Sequence, residues 1–228
     1  MTAQVHLPKV SGIYGISEVA RYLSATLSKE NGLLVDAAKL RYWIRTSASN
    51  ISDPLFPTTK RLVTFQDVIS MRMIAVLRAK GISLQKIRDM ETWIRGTFDT
   101  EWPFAFRPMW VYQSNVFIEF ESRLIAATRF GQIAMDFIRE WLEEIELDMT
   151  FDSHEVANLW TPQSGIQLDP HIQFGEPCIE GTDIPTKAIW SKIKAGDTTE
   201  TVASVYDLDV TQVQDAIDWE RHLADAAA

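Results

Sequence analysis

The side chains best suited to chemistry in this sequence are cations in two short stretches, 39–45 and 60–61. Arginine and lysine bind phosphate oxygens, so clustered cations indicate a surface for a polyanion. Arg41 and Arg45 are four residues apart, and a helix would stack them on one face. We expect the first stretch to face the major groove of a DNA duplex and the second to lie on flanking phosphates. The predicted DNA-binding residues are Lys39, Arg41, Tyr42, Arg45, Lys60 and Arg61.

The charges of the chain are divided between its two ends. Residues 1–98 contain 14 Lys and Arg against 7 Asp and Glu, whereas residues 99–228 contain 8 against 24. The chain as a whole has a formal charge of −9, so all of its positive excess lies in the first part. A polyanion would be attracted to that part and repelled from the rest. The alternative is a charged surface that contacts protein, but cations in both stretches favour DNA.

Four helices and a wing are predicted to position these cations. Apolar residues recur at helical spacing from Ile16 onwards, and Asp36 can cap a second helix. Residues 46–63 are rich in Ser, Pro and Thr, which suits a wing. Residues 65–80 are apolar almost all round and predict a buried helix, after which Ser83 can cap a fourth. Residues 1–98, the head, are therefore predicted to form a winged helix-turn-helix.

Residues 99–150 change character and predict a small α+β insert. Two apolar runs, 109–112 and 116–120, flank a short polar turn and predict a hairpin. Residues 124–128 suit a further strand, and residues 131–147 read as an amphipathic helix. Five aromatic residues could line a pocket for an organic effector: Trp102, Phe104, Phe106, Trp110 and Tyr112.

Residues 151–228 predict a connector followed by a helical domain. Glycines and prolines dictate tight turns around two very short strands, and three helices follow, the last capped by Asp209. Residues 169–228 contain 4 basic and 12 acidic residues, so this helix-turn-helix-like triplet is expected to contact protein rather than phosphate, or else only to close the fold. The predicted fold class is mainly α with a small α+β middle, ending in a C-terminal three-helix domain.

The remaining titratable residues do not predict catalysis or metal binding. The histidines lack metal-ligand spacing, and Cys178 has no second thiol. His171, Glu176, Glu180 and Asp183 are close in sequence, but turns attract such residues anyway. We expect no catalytic residue, no metal and no cofactor. One cysteine and no apolar run of membrane-spanning length indicate a soluble, cytoplasmic protein that does not bind a membrane.

The head resembles the DNA-binding domain of the MerR family over about residues 14–96. Leu77–Ile87 is the closest match. About ten extra residues, 28–37, separate the first two helices. The resemblance is carried by the runs YGISEVA from Tyr14, LRYW from Leu40, RLVTFQDV from Arg61 and LRAKGISLQKI from Leu77.

The C-terminal part resembles the domain of unknown function DUF433. Its pattern is Gly-x-Pro-x-Ile-x-Gly-Thr-x-Ile-Pro-Thr over residues 175–186, although Asp183 stands where the family usually has Arg. The whole chain resembles VapB-type antitoxins that join such a domain to a MerR-like head.

That resemblance implies an antitoxin of a type II toxin–antitoxin system. It would bind and neutralise a PIN-domain (VapC-type) ribonuclease toxin and, as a homodimer, regulate its own operon by binding operator DNA. Trp160 and Trp219 are the candidate partner-binding residues, although each could instead pack in the core. The alternative function is a MerR-like transcriptional regulator that senses a small ligand through the insert, and an enzyme is the third class.

Overall fold

The computed structural model describes residues 12–31, 35–46, 62–106, 109–112, 115–120, 123–129, 132–133, 143–144 and 148–226. Within these residues the fold is α+β, with helices beside two antiparallel sheets of five and four strands and a third sheet of two. The predicted class, mainly α, is therefore wrong. No helix in the described ranges is long and apolar enough to cross a membrane.

The head contains four helices and a two-stranded sheet. The sheet pairs β1 with β2 in antiparallel register, Tyr14 opposite Val63, and so ties the start of the head to the start of its third helix. The elements are β1 (Tyr14–Gly15), α1 (Ile16–Asn31), α2 (Ala37–Thr46), β2 (Leu62–Val63), α3 (Phe65–Ala79) and α4 (Leu84–Phe98).

Local sequence explains where the two later helices of the head begin. The Thr64 hydroxyl accepts the backbone N–H of Asp67, and the Asp67 carboxylate accepts that of Thr64, which is a complete capping box. The Ser83 hydroxyl accepts the backbone N–H of Lys86 and caps α4 as predicted. Helix α3 is buried along almost its whole length, as its apolar sequence predicts.

The middle of the chain forms the five-stranded sheet, in the order β6-β5-β4-β3-β7. The predicted hairpin is present, with Met109 opposite Ile118. The predicted helix at 131–147 is wrong at both of its ends, which form the edge strands β6 and β7. Pairing to the open edges of the sheet outweighs the local helical pattern there. The strands are β3 (Met109–Tyr112), β4 (Asn115–Phe120), β5 (Arg123–Ala126), β6 (Gln132–Ile133) and β7 (Glu143–Glu144).

The C-terminal part adds four strands to the three predicted helices. Strand β9 lies in the predicted connector and β8 ends at its first residue, so the structure has four strands where two very short ones were predicted. Asp209 forms a capping box with Gln212 at the start of α7, as predicted, and Thr198 caps α6. The elements are β8 (Met149–Phe151), β9 (Ala157–Gln163), β10 (Ile166–Leu168), β11 (Cys178–Ile179), α5 (Thr186–Lys194), α6 (Thr199–Tyr206) and α7 (Val210–Asp225).

One continuous set of buried apolar side chains joins the head to the C-terminal domain. Helix α1 lies against α7, where the Tyr22 and Trp219 rings are 6.0 Å apart. Helix α3 lies against β9, where the guanidinium of buried Arg72 sits 5.5 Å from the centre of the Trp160 ring. The two ends of the chain are thus packed into one body, and their junction is part of the core.

Candidate functional site

Helix α2 positions the described part of the predicted DNA-binding surface. Asp36 caps it, because its carboxylate accepts the backbone N–H of Lys39 at 2.6 Å. Leu40 and Trp43 are buried, which turns Arg41 and Tyr42 to the solvent. Lys39 is half-buried beside them. The helix therefore presents a cation and an exposed aromatic ring on the face opposite to the core.

The other three predicted residues are only partly covered by the structure. Arg45 lies in α2, but its side chain is outside the described part of the chain, and Lys60 and Arg61 lie outside it altogether. The structure thus brings Lys39, Arg41 and Tyr42 together on one helix. That Lys60 and Arg61 lie on the same surface stays a prediction.

A buried contact fixes α2 on α1 despite the extra residues between them. The Ser24 hydroxyl of α1 donates to the Val35 carbonyl at 2.9 Å, and both residues are buried. A satisfied buried hydrogen bond of this kind fixes the segment that precedes α2 at one position along α1. Leu27 and Leu40 are buried beside it. The extra residues therefore do not leave α2 unattached.

A second group of cations lies around the turn between α3 and α4, outside the six residues that were predicted to bind DNA. Arg78 closes this turn by donating from Nη1 to the Ile82 carbonyl at 2.7 Å. Lys86 is exposed in the first turn of α4, and Lys80 is half-buried. The available signal was the density of cations: Arg78, Lys80, Lys86 and Arg88 fall within one short run. They strengthen the positive character of the head.

Both candidate partner-binding tryptophans lie in the core, which is the alternative that the sequence left open. Trp160 and Trp219 are fully buried, one beneath Arg72 and the other against Tyr22. Neither indole N–H has a hydrogen-bond acceptor among the described residues, so packing alone positions them. They join the head to the C-terminal domain and present no surface to a partner.

The predicted aromatic pocket of the insert is also not formed as expected. Phe104 and Phe106 are buried in the core, and Trp102 is half-buried against it. The Phe106 ring packs 5.4 Å from that of Phe98, at the end of α4. These rings fill space between the head and the insert instead of lining a cavity. Trp110 and Tyr112 lie in β3 with side chains outside the described part of the chain.

An open cleft of about 260 Å³ lies where the head meets the C-terminal domain. Two hydrogen bonds cross the junction beside it: the Tyr14 hydroxyl donates to the Gly175 carbonyl at 2.9 Å, and the Ile13 N–H donates to the Phe174 carbonyl at 3.2 Å. Gly175 has φ +86°, and a Cβ there would overlap the Tyr14 hydroxyl. The cleft is lined by Ile13, Tyr14, Glu18, Gln173, Phe174 and Glu176.

The electrostatics of the cleft are dominated by carboxylates. Glu18 accepts the Tyr22 hydroxyl at 2.7 Å, and Lys187 lies 3.6 Å from Glu18 and 3.3 Å from Glu176. Burial, followed by the charge of Glu18, raises the pKa of the Tyr14 hydroxyl far above its usual value, so this hydroxyl stays a donor. One ammonium group is therefore shared between two carboxylates.

The last helix of the C-terminal domain presents amide and carboxylate side chains to the solvent. Helix α7 exposes Gln214 and partly exposes Asp215 and Asp218. Burial, followed by the charge of Asp218, raises the pKa of Asp215. Glu220 is buried and accepts the Thr186 hydroxyl at 2.6 Å, which links α5 to α7. In the described ranges no three His, Cys, Asp or Glu side chains are grouped to hold a metal ion.

Comparisons with known proteins find a family match in the C-terminal part and a similar fold. Residues 166–219 match the family described as "Protein of unknown function (DUF433)", which confirms that part of the resemblance. No curated protein matches the chain. The X-ray crystal structure of Rv2018 from Mycobacterium tuberculosis is similar with a TM-score of 0.61 at 19% identity, covering 90% of this chain and 96% of that one. At that identity the likeness concerns the fold alone.

Proposed function

We propose that this protein is the antitoxin of a type II toxin–antitoxin pair. Its MerR-like head would bind operator DNA, and its acidic remainder would bind and neutralise a PIN-domain (VapC-type) ribonuclease. The observation that carries the proposal is the division of charge, with 14 cations against 7 carboxylates in residues 1–98 and 8 against 24 in the rest. One chain with two oppositely charged parts suits two unlike partners.

The DNA-binding half of the proposal is supported by the geometry of α2. Arg41 and Tyr42 face the solvent on a helix whose other face is buried, which is the arrangement that a helix in the major groove requires. Cations at the α3–α4 turn extend the positive surface, and phosphate contacts there would set orientation without reading sequence. A homodimer would supply two such helices for the two half-sites of an operator.

The partner-binding half is supported by the charge of the C-terminal domain. Residues 169–228 contain 4 basic and 12 acidic residues, and such a surface attracts a basic protein while it repels nucleic acid. The resemblance to VapB-type antitoxins implies that this partner is a PIN-domain ribonuclease. Both proposed partners, operator DNA and the ribonuclease, would place the protein in the cytoplasm.

Co-expression tests the proposal directly. The tagged chain would be expressed with the reading frames on either side of its gene intact, purified, and analysed by mass spectrometry. We expect a small stoichiometric neighbour whose ribonuclease activity is silent in the complex. Recovery of the chain alone, still bound to its upstream DNA, would overturn the antitoxin function in favour of a MerR-like regulator that responds to a small ligand.

A further inference from the structure

The cleft at the junction of the head and the C-terminal domain combines two kinds of surface. Ile13 and Phe174 give it apolar side chains, and the Phe174 ring is 75% exposed. Glu18 and Glu176 give it carboxylates. The head supplies one apolar and one acidic residue, Ile13 and Glu18, and the C-terminal domain supplies the other two, Phe174 and Glu176. The cleft therefore exists only while the two parts are docked.

The loop that carries Phe174 is held in place by its backbone while the ring is left in solvent. Gln173 and Phe174 both have positive φ, 47° and 55°, which non-glycine residues seldom adopt. Backbone hydrogen bonds fix them: Gly175 donates to the Ile172 carbonyl at 2.8 Å, and the Phe174 carbonyl accepts from the head. A ring on a loop that is already ordered loses little conformational entropy when it binds.

The charge of the cleft is negative in spite of its ion pairs. Lys187 is the cation shared by Glu18 and Glu176, so one carboxylate charge remains uncompensated between the three groups. Asp169 adds to the negative potential, since its charge is among the causes that raise the pKa of Tyr14. The Glu176 side chain is 44% exposed beside Phe174, so an incoming guanidinium would share its carboxylate with Lys187.

An exposed aromatic ring beside an accessible carboxylate is the environment that a guanidinium group fits best. Arginine stacks its planar head on an aromatic face and pairs with a carboxylate through its paired N–H donors, whereas the lysine ammonium lacks the plane. We propose that this cleft is the docking site for an arginine side chain on a protein partner, with Phe174 as the stacking face and Glu176 as the counter-ion. The identity of that partner as the ribonuclease toxin rests on the proposed function.

This placement also predicts a coupling between partner binding and the head. Because Ile13 and Glu18 belong to the head and Phe174 and Glu176 to the C-terminal domain, an arginine in the cleft would favour the docked arrangement of the two. By linkage, if a ligand of the head changes the affinity for the partner by some factor, the partner changes the affinity for that ligand by the same factor.

The cleft can be tested without the partner. The probe is the peptide acetyl-Arg-Arg-amide, titrated into the full-length protein labelled with ¹⁵N, with the uncharged citrulline peptide as its control. We expect shifts at the amides of Ile13 and of residues 173–176, and none of comparable size with citrulline. Shifts elsewhere only, or equal binding of the citrulline peptide, would overturn the proposal.

Phe174→Asn is the decisive variant, because asparagine accepts positive φ and removes only the ring. It should weaken peptide binding by about two- to fivefold, the range of an exposed cation–π contact. Glu176→Gln should weaken it as well. Val205→Ala, which trims a side chain 68% exposed outside the cleft, is the matched control and should leave binding unchanged. Unaltered binding to a folded Phe174→Asn protein would refute the stacking role.

The complex with the partner separates this inference from the proposed function. A ribonuclease that binds the wild type and the Val205→Ala protein alike, but the Phe174→Asn protein more weakly, supports both. A ribonuclease that binds Phe174→Asn as tightly as the wild type would refute the cleft and leave the antitoxin function standing. Local binding of the arginine peptide with no ribonuclease partner would support the cleft and refute the function.

Discussion

Replacing Gly175 by alanine should destabilise the protein far more than the same change at Gly81 or Gly181, two glycines of positive φ that face open space. An alanine in the left-handed region costs about 1–2 kcal/mol by itself. At Gly175 the new methyl group would also overlap the Tyr14 hydroxyl and lie 3.2 Å from the Gly12 Cα. The buried Tyr14 side chain must then move and give up its bond to the Gly175 carbonyl, which is worth about 1 kcal/mol.

The total expected loss is about 3–5 kcal/mol of unfolding free energy, counting strain, the lost hydrogen bond and the displaced ring. Gly81 and Gly181 are the matched controls, because both have positive φ but would place a Cβ in open space. Alanine at Gly81 or at Gly181 should lower the unfolding free energy by the backbone strain alone. Urea denaturation followed by fluorescence and circular dichroism gives all three values.

A double-mutant cycle identifies the cause. Tyr14→Phe removes the hydroxyl that lies nearest to the new methyl group. The double variant should therefore lose less unfolding free energy than the two single variants together, by at least about 1 kcal/mol. Equal losses for Gly175→Ala and Gly181→Ala would refute the reasoning. The Tyr14–Gly175 contact would then not hold the head to the C-terminal domain.

Three further changes test other parts of the molecule. Arg41→Ala with Arg45→Ala should weaken operator binding and reduce the slope of log affinity against log salt by about 2, whereas Arg221→Ala in the C-terminal domain should change neither, measured by fluorescence anisotropy. Trp219→Ala should lower the unfolding free energy by about 3–5 kcal/mol, measured by urea denaturation, because it empties a fully buried site. Thr64→Ala should cost about 1 kcal/mol in the same assay, because α3 loses its cap.

Each of these changes has an outcome that would contradict its reasoning. Unaltered operator binding after loss of both arginines would place the DNA-binding surface away from α2. A Trp219→Ala protein of wild-type stability would mean that α1 and α7 do not share a core. A Thr64→Ala protein with the unfolding free energy of the wild type would mean that the capping box does not determine where α3 begins.

The order of helices in the head follows from its sequence because each helix carries its own local signals. Asp36 and Ser83 cap the helices predicted for them, and the apolar run at 65–80 is the buried helix that it indicates. Capping and periodicity act over a few residues, so a single sequence contains the information. The DUF433 pattern at 175–186 is equally local, and the family match at 166–219 confirms it.

The sheets could not be read in the same way because strand pairing is not local. Two short edge strands depend on such pairing, Gln132–Ile133 and Glu143–Glu144. They form because the outer strands of the central sheet have backbone groups available for hydrogen bonding. Strand β9 contains Asn and Pro, two residues that are depleted in strands, and it forms because it buries Trp160 against the head. The burial of Trp160 and Trp219 likewise depends on a junction between distant parts of the chain.

The junction cleft is the part of the molecule that sequence reasoning missed entirely. Its residues come from 13–18 and 173–176, about 160 positions apart, and no local pattern links them. The one available signal was Phe174 in a turn rich in glycine and proline, where a large apolar side chain has little to pack against.

The most direct test of the proposed function is a stoichiometric titration. The protein from the neighbouring reading frame would be purified alone, shown to cleave RNA, and titrated with this chain while the cleavage rate is followed. We predict a linear fall to zero activity at a fixed molar ratio, because an antitoxin acts by tight binding. Undiminished cleavage in the presence of excess chain would contradict the account.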